Sequence, residues 1–143
     1  MFSVNIMFVL LLVCNDWEVK QFDVSAYCPC EKCCGTYSDG YAANGRKLKI
    51  GDKAIAAPKI YKFGTVMCIP GYGTAQVWDR GGAIGVKGQL IKNIKIGNHR
   101  VKDQVLTHDR IDLLHNNYID NKLNHKEALT FGRLKKWYVW IRR

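Results

Sequence analysis

Two aspartates and a dense run of cysteines are the residues of this chain whose types and spacing can do chemistry. Asp79 stands in Val77-Trp78-Asp79-Arg80-Gly81-Gly82. An aspartate followed at once by two glycines faces backbone that another molecule can approach closely. Asp112 stands in Arg110-Ile111-Asp112-Leu113-Leu114. If this run is a strand, the apolar neighbours Ile111 and Leu113 point to the opposite face. A carboxyl near an apolar wall has its charged form disfavoured, so its pKa rises. A general acid that protonates a glycosidic oxygen near neutral pH needs that property. The competing use of such an aspartate is as a turn-former or helix cap.

The second constellation is Cys28-Pro29-Cys30-Glu31-Lys32-Cys33-Cys34. Cys30 and Cys33 have the C-x-x-C spacing of a metal or redox pair. There is no second C-x-x-C, so a four-cysteine zinc site would have to draw on Cys28, Cys34 or the distant Cys68. Disulfides among Cys28, Cys30, Cys33 and Cys34 are the simpler expectation. They would staple a glycine-rich loop, and an exported chain meets the oxidising conditions they need. Zinc at this cluster is the alternative, and the two aspartates call for no cofactor of their own. No βαβ pattern surrounds the motif, which argues against a thioredoxin-like role. His99, His108, His115 and His125 show no helix-face metal spacing; His108 and His115 flank Asp112 and could line the same rim, but read as solvated loop residues. Trp78, Tyr72 and Tyr27 fall near the expected groove, where aromatic faces suit sugar rings but also barrel cores. Trp137 and Trp140 read as packing residues of the last strand.

Positioning these groups requires a sheet. Phe22, Val24 and Ala26 alternate with polar residues, the pattern of a half-buried strand. Strand-like runs follow at 66–69, 75–78, 110–114 and 137–141. Many short strands separated by glycine turns argue for a barrel or sandwich. One helix is expected over 125–131, with Asn124 as its cap, Glu127 three residues later and Gly132 at its end. The Lys/Gly/Asn-rich stretch 85–108 reads as a hairpin inserted at the barrel rim. The apolar stretch 2–13 is too short to span a bilayer as a helix. It resembles the core of a secretion signal but lacks a preceding Lys or Arg and a small-residue cleavage site. A buried first strand is the other reading.

The chain has 143 residues, enough for one domain with a real core. A formal net charge of +10 attracts polyanions, nucleic acid and anionic cell wall alike. The basic residues are dispersed, and no basic helix or aromatic-basic RNA signature is present.

Asp79-Arg80-Gly81-Gly82-Ala83-Ile84, Arg110-Ile111-Asp112-Leu113 and Glu127-Ala128-Leu129-Thr130-Phe131-Gly132-Arg133 occur in that order. Ser25-Ala26-Tyr27, Ala43-Asn44-Gly45, Ile55-Ala56-Ala57-Pro58, Phe63-Gly64-Thr65 and Gly71-Tyr72-Gly73 precede them. The ordered set, spanning roughly 23 to 141, resembles the 3D (Asp-Asp-Asp) domain family. That family is related to the catalytic core of membrane-bound lytic transglycosylase A and to stationary-phase muralytic proteins. The resemblance implies a mainly β fold, a six-stranded double-psi β-barrel with a short helix. Residues 1–18 would be the apolar N-terminal segment and 19–143 the barrel domain, with the insertion at about 85–108. Asp112 matches the catalytic acid, and Asp79 its partner. Gly81, Gly82, Lys87, Trp78 and Tyr27 are the expected substrate contacts.

The implied reaction cleaves the bond between N-acetylmuramic acid and N-acetylglucosamine in cell-wall turnover. The muramyl 6-hydroxyl attacks internally and leaves a 1,6-anhydro end. One carboxyl acting first as acid and then as base suffices, unlike the paired-carboxylate scheme. The chain departs from the family at Ala57, which takes the place of the third aspartate, and in a longer interval between Asp79 and Asp112. The expected partner is peptidoglycan, with no specific nucleic acid, no stable membrane insertion and a monomeric chain. The expected setting is the cell envelope or the outside of the cell, whether for a bacterium or a phage. Two alternatives compete: a cell-wall glycan-binding module without catalysis, and a zinc-stapled nucleic-acid-binding domain.

Overall fold

The computed structural model describes residues 16–35, 38–92, 94–96 and 99–143. The apolar stretch 2–13 lies outside them. Six strands close a barrel: β1 (Glu18–Tyr27), β2 (Ala54–Ala56), β3 (Val66–Ile69), β4 (Gly73–Asp79), β9 (Asp109–Leu114) and β10 (Leu134–Arg142). Their order around the wall is β1-β10-β3-β4-β2-β9. The pairs β1–β9 and β2–β4 are parallel and the other four are antiparallel. This is the mainly β, six-stranded barrel expected.

Alternation explains the wall. Phe22 and Val24 of β1, Met67 and Ile69 of β3, Ala75 and Val77 of β4, Ile111 and Leu113 of β9, and Val139 and Ile141 of β10 point inward. Each large side chain fully buried this way stabilises the fold by roughly 1.5–3 kcal/mol. The expected period-two pattern of β1 breaks at its end, where Tyr27 is buried and Ala26 only half-buried. A register shift between Phe22 and Val24 places an extra residue on the paired strand β10 and leaves both side chains facing the core.

A buried polar group interrupts the core at the start of β9. Asp109 accepts hydrogen bonds from Lys20 Nζ at 2.7 Å, Tyr61 Oη at 2.6 Å and the Lys87 backbone N–H at 2.8 Å. Burial disfavours its charge, but these donors outweigh burial and hold the carboxyl below its ordinary range.

Two short helices are described: α1 (Glu31–Cys34) and α2 (Asn121–Phe131). The cap of α2 is Asp120, whose side chain accepts the Lys122 N–H, so the helix starts earlier than the sequence suggests. Asn124 is not the cap. It is fully buried inside the first turns, donating to Asn116 Oδ1, Tyr118 O and Asn121 Oδ1, and accepting the Tyr118 N–H. Gly132 ends the helix with φ of 70°, a left-handed conformation that glycine adopts at little cost. The 85–108 stretch forms a hairpin outside the barrel. β5 (Leu90–Ile91) pairs with β8 (Gln104–Val105), and β6 (Ile94–Ile96) with β7 (His99–Val101), in one continuous antiparallel register. No described helix is long and apolar enough to cross a membrane.

Candidate active-site cleft

The site is built around β2. Ala56 pairs with Asp112 of β9 on one side and with Asp79 of β4 on the other. Adjacent strands lie about 4.8 Å apart, so the two aspartate backbones stand about 10 Å from each other across β2. Paired positions share a face, and Ala56 between them contributes only a methyl group. Asp79, Ala56 and Asp112 thus line one cleft of about 1080 Å3. Ala26, Tyr27, Gly81, Gly82, Arg110 and Arg133 also line it.

Asp79 is fixed by three donors. Tyr27 Oη donates to Oδ2 at 3.0 Å, while the backbone N–H groups of Ala43 and Arg80 donate to Oδ1 at 3.1 and 2.9 Å. Three donors from three different segments fix the orientation of this carboxyl. The Tyr27 phenol is pushed well above its ordinary range, first by burial and then by the charges of Asp79 and Asp112. It therefore remains a donor.

Asp112 has the opposite surroundings. Among the described residues one side chain is hydrogen-bonded to its carboxyl, Ser25, whose Oγ donates to Oδ1 at 3.1 Å. Its strand neighbours Ile111 and Leu113 are buried in the core behind it. Burial pushes the carboxyl up to about 7, helped by the charge of Cys33 and opposed by Ser25, Arg133 and Arg110. The alternation of β9 announces the apolar wall, but the contribution of Cys33 comes from a contact in space.

The other expected contacts separate into two groups. Tyr27, Gly81 and Gly82 are at the cleft. Gly81 fits closely there: a Cβ would lie 2.9 Å from Ile84 Cγ1, so the Ile84 side chain would have to move within the turn closed by the Ile84 N–H on Gly81 O. Lys87 does not line the cleft, and its backbone N–H serves Asp109 instead. Trp78 also turns away from the cleft. Its ring is covered by the Arg46 guanidinium at 4.7 Å and packs on the cluster of Tyr27, Ala54, Ala56 and Leu114. Ala57 is sealed in the barrel core, so no side chain at position 57 reaches the cleft.

The cysteine run corrects the disulfide expectation. Cys28, Cys30, Cys33, Cys34 and Cys68 are all free thiols. Cys28 Sγ lies 2.8 Å from Cys30 Sγ and 3.5 Å from Cys33 Sγ, both far beyond the roughly 2.05 Å of a disulfide. Cys34 turns aside, with its Sγ 3.3 Å from Cys28 O and its thiol pushed up to about 12, first by burial. The missing member of the cluster is His125 of α2. Its Nδ1 lies 3.6, 3.4 and 3.4 Å from the sulfurs of Cys28, Cys30 and Cys33. Those four ligand atoms lie within 4.8 Å of one another and could hold a metal ion. His125 belongs to the helix, as expected from the sequence. His115 is not a solvated loop histidine: it is buried with Nδ1 3.1 Å from Leu113 O and its ring against Tyr72 and Phe131. In sequence, only the nearness of His125 to a helix start hinted at its role, because its partners lie more than ninety positions away.

What the fold and cleft define is a closed six-stranded barrel with two differently held carboxyls on one open face. Compared with known proteins, the chain matches no family model and no curated protein.

Proposed function

We propose that the chain is a lytic transglycosylase-like enzyme acting on peptidoglycan, with Asp112 as acid and Asp79 as its partner. The observation that carries this reading is the contrast between the two carboxyls. Asp112 is pushed up to about 7 by burial, while Asp79 accepts three hydrogen bonds in the same cleft. A buried carboxyl that retains its proton suits the proton donor, and a carboxyl oriented by three hydrogen bonds suits a positioned partner. The resemblance of the ordered motifs to the 3D domain family supports the same assignment.

In this reaction Asp112 gives its proton to the glycosidic oxygen, and the bond from that oxygen to the muramyl C1 breaks. The 6-hydroxyl of the same sugar bonds to C1, and its proton passes to the Asp112 carboxylate. A 1,6-anhydro end and a free 4-hydroxyl result, without water. Asp79, held by Tyr27, positions the sugar beside the acid. Arg110 and Arg133 line the cleft beside the acid and suit the carboxylates of the muramyl substituents.

The test is incubation with purified sacculi and identification of the released sugar ends. The wild type is expected to release anhydro-muropeptides. Asp112→Asn is expected to lose on the order of a hundredfold or more, the usual share of a general acid. If the wild type releases none while the variant binds sacculi equally well, the chain is a glycan-binding module instead.

A further inference from the structure

We propose that Cys28, Cys30, Cys33 and His125 bind a zinc ion that ties the end of β1 to α2 and so braces one wall of the cleft. The proposal stands independently of the glycan reading.

The donor set is the first argument. Three sulfurs and one imidazole nitrogen converge within 4.8 Å, the composition of a closed Cys3His structural zinc site. Thiols are weak hydrogen-bond partners, so mutual hydrogen bonding gives little reason to gather three of them around one nitrogen. A soft cation does. Cys34, although adjacent in sequence, is directed to a backbone carbonyl and takes no part. The cluster is therefore selective rather than a heap of neighbouring cysteines.

The scaffold is the second argument. Cys28 is buried directly after β1. Cys30 caps α1, and the N–H groups of Cys33 and Cys34 bond to its carbonyl at 3.2 and 2.8 Å. This tight turn brings Cys30 and Cys33 to one side. On the opposite element, fully buried Asn124 binds Asn116, Tyr118 and Asn121, which fixes the first turns of α2 and hence the position of His125. Both ligand segments are held in place by bonds that do not involve the four ligand atoms.

All four positions of a tetrahedral ion are filled by protein, leaving none for a substrate, so the ion is structural. Its place explains why a barrel with its own core would need it. Cys33, Cys34, His125, Ala128, Leu129 and Arg133 form one side of the cleft, and the two segments carrying them pair with no strand.

The full chain should be expressed in zinc-containing medium and purified under reducing conditions without chelator. Metal analysis is expected to find one zinc per chain. Cys33→Ser and His125→Ala should retain only a small fraction of it, whereas Cys34→Ser and Cys68→Ser should keep it. Cobalt exchange should produce the visible bands of a tetrahedral thiolate site. In case a variant does not fold, wild-type protein treated with a thiol-blocking mercurial should release its zinc to a colorimetric chelator, with a lowered melting temperature. Metal-free protein with disulfides by intact mass would overturn the proposal. So would iron or copper in place of zinc, or equal zinc loss from Cys34→Ser and Cys33→Ser.

Discussion

Burial of the Asp112 carboxyl makes the stability of the fold depend on pH. Its pKa of about 7 in the folded chain compares with about 3.9 when unfolded. Between those values the native state keeps a proton that the unfolded chain releases. Stability is thus full below about pH 4 and is lost as pH rises through 7. A shift of this size corresponds to a loss on the order of a few kcal/mol. Asp112→Asn removes the titration while keeping the shape. The variant is expected to match the wild type near about pH 4 and to exceed it near about pH 8, in denaturant melts at the two pH values. A stability difference that does not vary with pH would sink this account of the site. Lys20 and Asp109 give the opposite case, a buried carboxylate kept charged by its partners. Lys20→Met should destabilise by about 2 kcal/mol, less than for a sealed pair because the Lys20 side chain is 38% exposed.

At the scale of elements, strands set the face on which each aspartate appears, and α2 sets the cleft wall. The alternation of β9 and the glycines after Asp79 were readable, because both are local consequences of backbone geometry. The start of α2 was misread by several residues. Asn124 has the residue type of a cap, but the burial that claims its side chain comes from Asn116 and Tyr118. Asp120 is the working cap, and Asp120→Ala should cost about 1 kcal/mol in thermal or chemical melts. An unchanged melting curve would mean that packing alone holds this end of the helix. Lys87 and Trp78 do not line the cleft for a related reason: proximity in sequence to Asp79 does not say which way the chain turns around it.

For the molecule as a whole, the insertion is separable from the barrel. The pairs β5–β8 and β6–β7 form sheets of their own, and the barrel order contains none of their strands. Replacing residues 92–103 by Asn-Gly would join Ile91 to Gln104, which already face each other, through a two-residue turn suited to hairpins. The shortened chain is expected to keep its cooperative unfolding, with a stability change within about 1 kcal/mol. Loss of cooperative unfolding in calorimetry would show that the barrel depends on the insertion.

From the residue order alone follow the mainly β class, most of the barrel strands, the hairpin and the apolar backing of Asp112. All of these arise from periodicity over a few neighbouring residues. Tertiary structure alone decided that Asp79 and Asp112 flank Ala56, that Ala57 is sealed in the core, and that three cysteines meet His125 rather than one another. Those outcomes depend on which distant strands pair and on which side of β1 helix α2 comes to rest, and closure of the barrel sets both.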